Sequence, residues 1–123
     1  MIANDSEVQT LIDLGLTSIQ ARTYLGLAKF GPQKISVISK QSKVARLDIY
    51  RSLAKLQELS LVEEIVETPV KYRAVSLDKG IGSLLERRAQ EYNKLRKSTQ
   101  VLLQSLKEKQ IPNQIQSADS SMC

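Results

Sequence analysis

The stretch KVARLDIYRSL, residues 43–53, places Lys43, Arg46 and Arg51 close to the carboxylate of Asp48. The chemistry open to such a set is charge-assisted hydrogen bonding. Guanidinium and ammonium groups donate to phosphate oxygens or to base edges. Bond-making chemistry finds few tools in this chain. It has no histidine, and its single cysteine is the last residue, Cys123. That removes the commonest general base, a Cys–His nucleophile and a zinc ligand set. Neither GxxxxGK[ST] nor GxGxxG occurs, so no phosphate-cradling loop is indicated. The acids are scattered or fall on faces expected to be exposed. The residues therefore point to binding rather than catalysis, with no metal or cofactor.

Read as a helix, this stretch puts Ile49, Leu53 and Leu56 on one buried stripe, which Ala45 extends backwards. Arg46, Leu47, Asp48, Arg51 and Lys55 are left off it. They are either a solvated face or a contact surface. Arg46 lies in the first turn, where recognition helices meet base edges. Arg51 is about 140° further round the helix and either makes a contact of its own or pairs with Asp48. Leu47 is an ordinary exposed leucine or a partner for a thymine methyl. Asp48 accepts from cytosine, orients an arginine or simply stands in solvent. Tyr50 borders the stripe, with its ring packed and its hydroxyl at the surface.

The chain that must position these groups is short. Its 123 residues, 41% hydrophobic and 25% charged, suit one small soluble domain with an extension. Aromatics are only 4%, which argues against the stacking platforms of single-strand binders. The net charge is +5, and it is unevenly spread. Residues 33–60 carry Lys34, Lys40, Lys43, Arg46, Arg51 and Lys55 against Asp48 and Glu58. A second basic block covers residues 78–109, while the segments before and between them are slightly acidic. No signal peptide or membrane-spanning run is evident, and a lone cysteine suits a reducing cytoplasm.

Apolar spacing predicts a first helix over 6–14, with a capping box from Ser6 and Gln9. A second begins at Thr17, with Gln20 completing its own box, and stops at Gly31-Pro32. A short helix over 34–41 and a fourth over about 45–59 flank a tight break at 42–44, the pattern of a helix-turn-helix. Residues 61–67 and 71–75 read as a β-hairpin turning at Thr68-Pro69-Val70. In its second strand, alternation puts Lys71 and Arg73 on one side and Tyr72 on the other, against the helices. Lys71 is the better phosphate candidate, and Glu63, Glu64 and Glu67 weaken the hairpin as a polyanion binder.

Ser76 or Asp78 caps a fifth helix that runs to Gln110, a span of roughly 48 Å. Ile81, Leu85, Tyr92, Leu95, Leu102 and Leu106 fall on a heptad seam, interrupted by Arg88, Thr99 and Lys109. Such a seam asks for a second chain, and Arg88 and Thr99 favour loose or antiparallel pairing. Pro112 ends the helix, and the rest reads as a disordered tail. The expected organisation is a mainly α winged helix-turn-helix over 1–77, a dimerisation helix over 78–110 and a tail over 111–123.

The order of elements also resembles a known family. LGLT before the second helix, the run V-x-R-x-x-I-Y-x-x-L-x-x-L and YRAV on the second wing strand are similar to the DNA-binding domain of the archaeal TrmB-type transcription regulators. The resemblance covers roughly residues 8–95. It implies a fourth helix in the major groove and a wing at the backbone. Many members carry a larger C-terminal domain that binds sugars; none is read here, so the chain is either a short member or a fragment of a longer regulator. A small-molecule effector is expected only if such a domain exists. Four residues depart from the family pattern: Lys34 for a threonine cap, Lys43 for the turn glycine, Ala45 for a proline and Ser60 for the glycine before the wing. Glycine relieves strain at positive φ, and Lys43 adds charge beside the expected phosphate path.

These readings converge on a homodimer that binds double-stranded DNA in transcription. The expected DNA-contacting residues are Lys34, Lys43, Ala45, Arg46, Leu47, Asp48, Tyr50, Arg51, Lys55, Lys71 and Arg73. The rivals are a winged helix used for protein contacts and one that binds RNA.

Overall fold

The computed structural model describes residues 5–110. Within them the order is α1 (Asp5–Asp13), α2 (Ser18–Phe30), α3 (Ile35–Ser42), α4 (Arg46–Glu58), β1 (Val62–Ile65), β2 (Lys71–Ala74) and α5 (Leu77–Gln110). This is the mainly helical winged helix-turn-helix that the sequence predicts. Pro112, Cys123 and the expected disordered tail lie outside the described residues. Two compact units meet between Arg88 and Ala89.

The first unit is held by one aliphatic core. Leu11, Leu16, Tyr24, Leu27, Ile38, Ile49, Leu53, Leu56, Leu61 and Leu84 are all buried in it. Helix α2 lies at its centre and packs on α1, α3, α4 and β2. Its start is fixed by Thr17: the hydroxyl accepts from Gln20 N at 3.2 Å, while Gln20 Oε1 accepts from Thr17 N at 3.0 Å. Its end is fixed by Gly31, which takes φ +86° and donates its N–H to the Leu27 carbonyl.

Three local expectations are corrected. Ser6 does not cap α1, because that helix already includes Asp5; Gln9 donates forward to Asp13 at 3.0 Å instead of back to Ser6. Ala45 does not extend the buried stripe of α4: it is the exposed residue at the helix start, and Ser52 is buried in its place. On α5 the side chain that enters the core is Leu84, not a member of the heptad seam; Ile81 and Leu85 are exposed.

The hairpin pairs Val62 with Ala74, Glu63 with Arg73, Glu64 with Tyr72 and Ile65 with Lys71. A two-stranded hairpin is not stable alone. Here Tyr72 also exchanges both backbone hydrogen bonds with Gln33, at 3.0 and 2.8 Å, which ties β2 to the α2–α3 connection. No sequence signal marked Gln33 for that role.

Tyr24 is fully buried, and its hydroxyl donates to the Val75 carbonyl at 3.3 Å, where β2 leads into α5. Gly80, one turn further on, makes room for it. A Cβ there would run into the Tyr24 hydroxyl and lie 3.1 Å from a Leu61 methyl. Gly82, two residues along the same helix, has nothing within 4 Å of the corresponding position. Gly82→Ala should therefore stabilise the protein by up to about 1 kcal/mol through helix propensity. Gly80→Ala should destabilise it by about 1–3 kcal/mol through overpacking. Urea unfolding of the two variants checks the opposite signs.

Candidate nucleic-acid interface

Ile49, Leu53 and Leu56 hold α4 by one stripe, each no more than 1% exposed. Rolling the helix this way turns Leu47, Tyr50 and Arg51 outward, and Arg46 is exposed as the first residue of the helix. Leu47 is 59% exposed and Tyr50 53%, and Phe30 and Val66 are exposed elsewhere in the same unit. The Tyr50 ring, expected to be packed, is instead exposed. Lys55 is half-buried, lower on the same helix.

Lys34, Ile35, Ser36, Arg46, Tyr50, Pro69, Val70 and Tyr72 line an open groove between the start of α3, the start of α4 and the wing. Tyr72 lines it and is buried, on the helix-facing side of β2 that alternation predicts. Burial pushes the Tyr72 hydroxyl above its usual range, and the Glu64 carboxylate and the Tyr50 hydroxyl add to that shift. The phenol therefore stays neutral and remains a donor at physiological pH. Ile35, Ser36, Pro69 and Val70 were not singled out by sequence, since nothing in their types marks them as neighbours of Arg46.

The cations divide into two sets. Arg51 pairs with Asp48 at 3.7 Å, Lys55 with Glu58 at 3.7 Å, Lys71 with Glu67 at 3.9 Å and Arg73 with Glu63 at 2.7 Å. The Arg73 guanidinium also donates from Nε to the same Glu63 oxygen at 3.2 Å. The Asp48–Arg51 pair is the one the sequence offered as an alternative to contact. Lys34, Lys40, Lys43 and Arg46 are exposed and have no ion pair among the described residues. They lie just before α3, on α3, on the turn and on the first residue of α4.

The turn itself is built without glycine. Lys43 sits at φ 58°, ψ 32°, in the left-handed region, and Ser60 at φ 63°. The departures from the family pattern at these two positions leave the backbone in the conformation that glycine favours. Side-chain bonds support the turn: Ser39 donates to the Val44 carbonyl at 2.6 Å and Ser42 to the Ile38 carbonyl at 2.7 Å. Lys34 and Ala45 occupy helix-start positions without any side-chain cap.

A family model described as the sugar-specific transcriptional regulator TrmB matches residues 11–78, more than half of the chain. The chain belongs to the TrmB family. The HTH-type sugar sensing transcriptional regulator TrmBL1 of Pyrococcus furiosus is 28% identical over 105 residues, covering 85% of this chain. The chain spans 31% of the length of that curated relative. Among solved structures, TrmBL2, an archaeal chromatin protein with a novel mode of DNA binding, superposes with a TM-score of 0.78 at 19% identity, covering 94% of this chain and 46% of its own. YusO of Bacillus subtilis follows at TM-score 0.53 and 19% identity, covering 87% of this chain and 84% of its own. At these identities the structural matches establish the fold alone. Among the described residues, no helix is long and apolar enough to cross a membrane.

A residue without glycine's freedom at positive φ is strained by about 1 kcal/mol. Lys43→Gly and Ser60→Gly should each raise stability by roughly 0.5–1 kcal/mol, the gain being reduced by glycine's larger unfolded-state entropy. Chemical denaturation of each variant measures this.

Proposed function

We propose that this TrmB-family chain binds double-stranded DNA in the control of transcription, with α4 in the major groove. The observation that carries the reading is the outward face of α4, where Arg46, Leu47 and Tyr50 are exposed beside the unpaired Lys34, Lys40 and Lys43. The ammonium groups displace counterions at phosphates and supply most of the affinity. Arg46 reads a base edge from the first turn of α4, and Leu47 offers an apolar contact to a thymine methyl. Ala45, Asp48, Arg51 and Lys55 flank that contact, whereas Lys71 and Arg73, on the wing, are held in ion pairs with Glu67 and Glu63. The protein acts by binding, in the cytoplasm, without a cofactor.

The chain acts as a homodimer. Tyr92, Leu95, Leu102 and Leu106 are each about half exposed or more, and Val101 and Leu103, outside the expected seam, are exposed as well. Six large apolar side chains on a short length of helix call for cover by another surface, and a second copy is the simplest one. Ile81 and Leu85 are likewise exposed in the first unit. Thr99 is no obstacle to pairing, because its hydroxyl donates to the Leu95 carbonyl of its own helix at 2.8 Å. A two-fold dimer reads a pseudo-palindromic operator.

Binding to duplex DNA should weaken steeply with salt, with a log–log slope near −5 for about six phosphate contacts. Arg46→Ala should cost roughly 1–3 kcal/mol on the preferred site, while Lys43→Ala should weaken all sequences alike. A flat salt response, or an Arg46→Ala variant that binds like wild type, rejects the respective assignment. Leu95→Glu with Leu102→Glu should give a folded monomer, by sedimentation and circular dichroism, that has lost most of its DNA affinity. A double variant that stays dimeric places the interface elsewhere.

A further inference from the structure

The two sets of cations have different access to a polyanion. On the wing, every base faces an acid: Arg73 is held by Glu63 at 2.7 Å and Lys71 by Glu67 at 3.9 Å. The third wing acid, Glu64, has no ion pair among the described residues. It stands opposite Tyr72 in the hairpin register, and opposite residues of an antiparallel pair share a face. Glu64 therefore projects on the side of the wing that meets the groove beside Arg46 and Tyr50. A phosphate approaching the Lys71–Arg73 face of the wing meets two neutralised pairs, and one approaching the Tyr72 face meets a carboxylate with no ion pair among the described residues. One approaching the α3–turn–α4 strip meets Lys34, Lys40, Lys43 and Arg46, none of which has an ion pair among the described residues.

We propose that the wing of this chain is charge-masked: Glu63, Glu64 and Glu67 hold it off the phosphate backbone, so that DNA is gripped by the α3–turn–α4 strip. The proposal rests on the DNA-binding reading above and assigns its phosphate contacts. The wing then acts as a restraint on affinity. Exposed ion pairs of this kind are individually weak, so the masking is not irreversible sequestration. It works through the local charge balance: to engage phosphate, Arg73 and Lys71 must leave a carboxylate unpaired beside it. Ordinary screening limits the effect to charges within about 10 Å at 0.1 M salt.

The test is equilibrium binding of the full chain to mixed-sequence duplex DNA across a salt series. Three multiple variants are compared with wild type. The Glu63→Gln, Glu64→Gln, Glu67→Gln variant should bind about three to ten times tighter, with a steeper salt slope, because two cations become free for phosphate and one repulsion is lost. The Lys71→Ala, Arg73→Ala variant should change affinity by less than about twofold and leave the slope unchanged. The Lys34→Ala, Lys40→Ala, Lys43→Ala variant should flatten the slope by about 2.7 per chain. All substitutions are at exposed or half-buried side chains, and Glu64→Gln alone, which disturbs no ion pair, gives the same sign if the triple variant is unstable. Loss of affinity and slope in the Lys71→Ala, Arg73→Ala variant equal to that of the lysine variant overturns the masking, as does a glutamine variant that binds no tighter. Absence of any salt-sensitive binding of the wild type to duplex DNA overturns the DNA-binding reading along with it.

Discussion

Burial of Ile49, Leu53 and Leu56 against α2 sets the roll of α4, and with it the direction of every candidate contact. A helix has only one stripe to bury. Once those three residues are inside, Leu47, Tyr50 and Arg51 must face out, while Arg46, three residues before Ile49 on the same side of the helix, is exposed because it is the first residue of α4. The rest of the first unit serves that placement. Helix α2 offers the surface on which α4 lies, α3 and β1 flank it, and Leu84 of α5 closes the core. Tyr24, buried at the centre with its hydroxyl on the Val75 carbonyl, links this core to the start of α5, and Gly80 is small enough to admit it.

The turn between α3 and α4 shows how geometry can persist when the residue that most easily adopts it is absent. Lys43 takes a left-handed conformation that costs any L side chain free energy, and the Ser39 and Ser42 hydroxyl bonds across the turn help to offset it. What is lost in backbone ease is gained in charge, because a glycine there would carry none. The same substitution thus acts on two links of the chain at once, local conformation and surface electrostatics.

The wing illustrates a different balance. Its position is secured by the backbone bonds between Gln33 and Tyr72 and by burial of Tyr72 and Val62, none of which depends on charge. Its surface is therefore free to carry any charge pattern without loss of structure. In this chain that pattern is nearly self-neutralised, whereas the strip running from Lys34 to Arg46 is not.

Local sequence determined what depends on near neighbours. The Thr17–Gln20 cap, the stop at Gly31, the inward stripe of α4 and the alternation that buries Tyr72 all arise from bonds and periodicities within a few residues, and each was legible. The family motifs, from LGLT to YRAV, lie in the same stretch and carried the fold. The misreadings came where local pattern competes with distant packing. Ser6 looks like a cap but lies inside its helix; Ala45 continues a stripe on paper but sits where the helix has not yet begun; the heptad on α5 passes over Leu84, because the first turns of that helix answer to the core rather than to a seven-residue repeat. The candidate site was legible as a list of cations and only partly as an arrangement. Which of them are free depends on carboxylates brought near by the hairpin register and the helix surface: Glu63 opposite Arg73, and Asp48 one turn before Arg51. Pairing across a sheet and backbone bonding from Gln33 to Tyr72 join residues far apart in sequence, and only the tertiary structure decides them, because no short-range propensity encodes which distant partner a strand or a charge will meet.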